Sequence, residues 1–84
     1  MTLEAKVTAR FNKAGLTIQF DRATLMPEFH LVSIIVTTPM GTQLAWLSKS
    51  FTTFEQCYQY LYDYAPTFIA RIPSVEKVVR SQND

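Results

Sequence analysis

TLEAKVTARF, residues 2–11, alternates without a break: Leu3, Ala5, Val7, Ala9 and Phe11 fall to one side, and Thr2, Glu4, Lys6, Thr8 and Arg10 to the other. A period of two is the signature of a half-buried β-strand with its polar face in water. Read this way, the stretch opens the fold as the first strand of a sheet. NKAG follows, with Asn12 suited to a first turn position and Gly15 able to take a left-handed conformation, so a short hairpin loop is expected. LTIQF then returns as a second strand with Leu16, Ile18 and Phe20 inward.

Residues 21–29, DRATLMPEF, read as a connection in which Asp21 caps a short turn and Pro27 ends any regular pairing. HLVSIIVTT is the third strand. TPMG, residues 38–41, repeats hairpin chemistry, with Pro39 preset for the second turn position and Gly41 at the fourth. QLAWLSKSF, residues 43–51, returns antiparallel as the fourth strand.

The period then changes. Thr52 and Glu55 fit a capping box, which starts a helix. Phe54, Cys57, Tyr58, Leu61 and Ala65 recur at three- and four-residue steps on one stripe, with Gln56, Gln59 and Asp63 opposite. Within YQYLYDY, residues 58–64, this places Tyr58 inside, Tyr62 and Tyr64 on the borders of the stripe, and Tyr60 mostly outward. Pro66 ends the main helix and opens a short one, PTFIARI; Pro73 and Ser74 start a last amphipathic piece, SVEKVVRS, with Val75, Val78 and Val79 on one side. The expected fold is a two-layer α+β sandwich: a four-stranded antiparallel meander, one main helix and one or two short C-terminal helices. It forms a single domain over residues 1–81, with 82–84 frayed.

Eighty-four residues suit one core, and a chain this short gains from pairing with a second copy. Charged residues make up 18% of the chain and sum to +1, spread along it rather than clustered, which disfavours a strong polyanion binder. The single cysteine, Cys57, excludes an internal disulfide. The start lacks a signal-peptide pattern, and no apolar run nears the roughly 18–20 residues that span a bilayer, so a cytoplasmic protein without membrane contact is expected.

A two-layer fold leaves one sheet face open, and that face should read polar. The third and fourth strands depart from this. Val32, Ile34 and Val36 share one face, with Leu31 and Ile35 on the other; Ala45, Leu47 and Phe51 share one face, with Leu44 and Trp46 on the other. Leu31, Ile35, Leu44 and Trp46 therefore read as an apolar patch needing a cover. The cover is either the chain's own tail or 21–29 connection, or a partner, most simply a second copy. Trp46 is the natural hot spot of such an interface, and Tyr60, Tyr62 and Tyr64 are candidate members of a docking surface.

No catalytic, cofactor or metal site is expected. Cys57 and His30 are the one thiol and the one imidazole, but Cys57 sits on the core stripe and His30 begins a strand, and the two are too few for a structural zinc. The carboxylates show no paired spacing, and both glycines are used in turns.

The run from Ile34 to Tyr64, above all SFTTFEQCYQYL, resembles the arm-site DNA-binding domains of tyrosine recombinases, in which a strand ends in an aromatic residue and a capped helix packs beneath a small sheet. The resemblance covers about a third of the chain, and QLAWLSKS carries only Lys49 where those domains carry Lys and Arg along the DNA-facing strands. Two functions follow as expectations. The first is a non-enzymatic interaction or regulatory protein acting as a homodimer or a subunit of a complex. The second is a weak nucleic-acid binder using Trp46 or the tyrosines with Lys6, Arg10, Lys13 and Lys49.

Overall fold

The computed structural model describes residues 2–26 and 28–83, and all of their side chains except those of Met26 and residues 79–83. In chain order the elements are α1 (Leu3–Lys13), β1 (Thr17–Met26), β2 (Phe29–Thr37), β3 (Gln43–Leu47) and α2 (Phe54–Asn83). The strands form one antiparallel sheet in the order β1-β2-β3. The expected four-stranded meander is thus corrected to three strands between two helices.

The correction starts in TLEAKVTARF, which is helical. Thr2 caps the helix, its hydroxyl accepting from the Ala5 amide at 3.1 Å. Glu4 lies in the first turn, and Arg10 and Lys13 in the last, where each sign complements the helix dipole. The alternating pattern misleads because two of its five apolar members are alanines, which suit an exposed helix position as well as any residue. What is buried is the four-residue series Val7 and Phe11, with Leu3 packed against the core, while Ala5 and Ala9 face water.

The expected NKAG hairpin is instead a helix end. Gly15 holds φ +82°, its amide donating to the Asn12 carbonyl, and the Leu16 amide donates to the Phe11 carbonyl, both at 3.0 Å. This Schellman arrangement satisfies two of the last carbonyls and brings Leu16 onto Phe11 in the core.

β1 then runs through the segment expected to be a connection. Its pairing with β2 extends from Thr17↔Thr37 to Thr24↔His30 and Met26↔Phe29, with Leu25 bulged out between. Pro27, expected to end regular pairing, lies outside the described residues. The TPMG turn forms as expected, with the Gly41 amide donating to the Thr38 carbonyl at 2.9 Å and Gly41 at φ +85°. β3 is shorter than expected and ends at Leu47. The chain then regains β2 at one bridge, His30↔Phe51.

α2 begins one residue later than the Thr52–Glu55 reading. Thr53 Oγ1 accepts from the Gln56 amide at 3.2 Å, and Gln56 Oε1 accepts from the Thr53 amide at 3.1 Å, a capping box shifted by one position. The helix then continues through Pro66 and Pro73, where separate short helices were expected. Each proline removes the amide that the carbonyl four residues earlier, of Tyr62 or Ile69, would accept from, at a cost of about 3 kcal/mol in a helix interior. The offset comes from the buried stripe that crosses both sites, Leu61, Ala65 and Ile72, with Phe68 and Ile69 packed beside it. Beyond Pro73, the Glu76 carboxylate accepts from the buried Thr38 hydroxyl and ties α2 to the β2–β3 turn. Of residues 82–84, expected to fray, Gln82 and Asn83 continue α2, while Asp84 and the side chain of Val79 lie outside the described residues.

Both helices cover the same sheet face. The register puts Ile18, Val36 and Leu44 abreast, and then Phe20, Ile34 and Trp46, all beneath the helices. Phe68 joins the layers, with Trp46 at 4.2 Å and Phe11 at 6.0 Å between ring centroids.

Candidate functional site: the open face of the sheet

Side chains alternate across a strand, so the register that fixes the covered face also fixes the open one. Gln19, Ile35 and Ala45 stand abreast there, then Asp21, Ser33 and Leu47, then Ala23 and Leu31. Phe29 shares their side of β2. The apolar members run down the central strand and onto β3: Phe29 is 43% exposed, Ile35 40% and Leu47 56%. Asp21 is the one charged residue that the register places on this face.

The expected patch of Leu31, Ile35, Leu44 and Trp46 is therefore divided. Leu31 and Ile35 lie on the open face. Leu44 is buried and Trp46 stacks on Phe68, both beneath the helices. Their places outside are taken by Ala45 and Leu47, the reverse of the expected orientation of β3. A signal for this existed: a four-residue turn at Thr38–Gly41 pairs Thr37 with Gln43, which sets Val36 beside Leu44 and Ile34 beside Trp46.

The three candidate tyrosines do not form one surface. Tyr62 lies on the α1 side of α2 under the Arg10 guanidinium, 3.8 Å from the ring centroid. Tyr60 and Tyr64 lie on the other flank with their centroids 4.5 Å apart, and Phe51 and Lys49 are close to Tyr60. Tyr60 is half-buried, not turned outward as expected. Phe51 lies beyond the end of β3 and bridges back to His30 of β2, and α2 packs on the sheet beside it.

A cleft of about 400 Å³ at the N-terminal ends of both helices is lined by Thr2, Leu3, Glu4, Arg22, Phe54, Glu55 and Tyr58. Its polar centre is internally matched. Arg22 Nε donates to the Tyr58 hydroxyl at 2.8 Å, and Nη2 donates to Glu4 Oε2 at 3.2 Å. The Tyr58 hydrogen bond, with a smaller part from Glu4, raises the Arg22 pKa above its ordinary value. The Arg22–Glu4 pair is half exposed and of small energetic weight.

Cys57 and His30 are neighbours, but through the backbone. The Cys57 thiol donates to the His30 carbonyl at 3.3 Å, while the imidazole packs on Phe54, 4.4 Å between centroids, with Nδ1 3.2 Å from Thr24 Oγ1. This arrangement gives the thiol no base. Among the described residues, no three of the His, Cys, Asp and Glu side chains group to hold a metal ion, and no helix is long and apolar enough to cross a membrane. Set against protein-family models, curated proteins and solved structures, the chain matches none of them.

Proposed function

We propose that the chain is a small non-enzymatic interaction module that pairs with a second copy of itself through the open face of its sheet. The observation that carries this reading is the uncovered row Phe29, Leu31 and Ile35 on the central strand with Leu47 beside it on β3. Apolar patches of this kind are seldom left to water in a small domain.

A like face suits the row better than a charged partner does. Asp21 is its one charge, at the β1 edge, so neither an acidic nor a basic partner finds a complement there. Two copies related by a twofold axis near Ile35 bring their central strands together, and aligned sheets pack about 10 Å apart with side chains interleaved. The face measures on the order of 30 by 14 Å from strand length and spacing. That is at the small end of specific interfaces, so the pair dissociates on dilution.

Sedimentation equilibrium of the wild type and of Ile35→Lys tests the reading. A concentration-dependent dimer that becomes a folded monomer in the variant supports it. A wild type that stays monomeric, or a variant that still pairs as tightly, refutes it.

A further inference from the structure

We infer that the groove between α1 and α2 binds the phosphate backbone of a nucleic-acid strand. Lys6, Arg10 and Lys13 follow one another at steps of four and three, so they share one flank of α1, the flank beside α2. They line a shallow cavity of about 220 Å³ with Ala9 and Tyr62. No carboxylate is in that lining.

The acids nearest in sequence are engaged elsewhere. Glu4, the one acid of α1, points away from this flank and holds Arg22. Asp63, next to Tyr62, accepts from Gln59 Nε2 at 2.9 Å. Among the described residues, Lys6, Arg10 and Lys13 are in no salt bridge. The Arg10 guanidinium carbon sits 3.8 Å from the Tyr62 ring centroid, a cation–π contact that anchors the cation beside the groove and uses none of its N–H donors on a carboxylate.

Complementing the helix dipole accounts for Arg10 and Lys13, which are in the last turn, but not for Lys6, which is in the first half of the helix. The run from Lys6 to Lys13 rises about 10 Å along the axis, at 1.5 Å per residue. Along a duplex axis the phosphates of one strand advance about 3.4 Å each, so the three cations can be matched by up to about three phosphates. Ala9, the small residue among the three cations, puts no bulk between them. This flank belongs to the helical layer, so the inference does not depend on pairing through the sheet.

The test is fluorescence anisotropy of labelled single- and double-stranded oligonucleotides titrated with the 84-residue chain at several salt concentrations. With three phosphate contacts, the slope of log K against log salt should be about −2 for single strands and nearer −3 for duplex. Lys6→Gln should shrink that slope by about 0.7–0.9, and Lys6→Glu with Lys13→Glu should abolish binding while the far-ultraviolet circular dichroism stays native. Arg10 is left in place because it packs on Tyr62. Three outcomes overturn the inference: no binding at the lowest salt, a slope unchanged in the Lys6→Gln, Lys13→Gln variant, or tighter association with phosphatidylserine vesicles than with either oligonucleotide.

Discussion

The Trp46 indole lies on the Phe68 ring with centroids 4.2 Å apart and planes within 13° of parallel. This stack fastens the short edge strand β3 to the middle of α2, between the two prolines of that helix, and it turns the tryptophan away from the open face. Trp46→Ala should therefore act on stability, costing about 3 kcal/mol in urea denaturation, and should leave the oligomeric state of the folded fraction unchanged. A double-mutant cycle with Phe68→Ala should return a coupling of about 0.5–1.5 kcal/mol. A coupling near zero would place the two rings apart in solution.

Ala9 discriminates the helical from the extended reading of the N-terminal segment. It is exposed and loses no packing when changed, so the effect of a substitution is a backbone effect. Ala9→Gly should cost about 1 kcal/mol and Ala9→Pro about 3 kcal/mol or more, read as shifts in the denaturation midpoint. Circular dichroism should show helix lost in the proline variant.

What was legible in the sequence is what local chemistry determines alone. The TPMG turn, the burial of Val32, Ile34 and Val36, and the helix entered near Thr53 all follow from residues within a few positions of each other. TLEAKVTARF misleads because Ala5 and Ala9 satisfy both periods, and of its decisive signals the Thr2 cap reads equally as the polar face of a strand and the Gly15 stop as a hairpin turn. The continuous α2 was hidden because Pro66 and Pro73 end a helix by local rules, while the Leu61–Ile72 stripe that holds it together is a tertiary fact. Half of the candidate site was legible for the same reason. Leu31 and Ile35 follow from the parity of one strand; Leu44 and Trp46 needed the register between two.

Cys57 should be chemically silent in the native protein. Its side chain is fully buried and its thiol donates to the His30 carbonyl, so a reagent cannot reach it without local opening. Reaction with a thiol reagent should proceed at the rate of opening and accelerate with urea. Fast reaction in native buffer would mean that the α2 N-terminus opens locally. Cys57→Ala, which removes sulfur from a packed site, should destabilise without altering association.

The last prediction separates the two faces of the sheet with two aliphatic residues on neighbouring strands. Ile35 on β2 faces out and is 40% exposed; Leu44 on β3, whose partner is Val36, faces in and is buried. A charge at Ile35 meets water in the monomer but must be desolvated in a face-to-face pair, so Ile35→Lys should leave the urea midpoint of dilute protein within about 0.5 kcal/mol of wild type. Its effect should appear only as lost association in sedimentation. Leu44→Ala should do the reverse, lowering stability by about 2–5 kcal/mol while the protein that remains folded still pairs. If Ile35→Lys unfolded the dilute monomer, the face would be covered by the chain itself. If both variants lost pairing and stability together, folding and association would be a single event, and the sheet would be the inside of a dimer rather than a surface of a monomer.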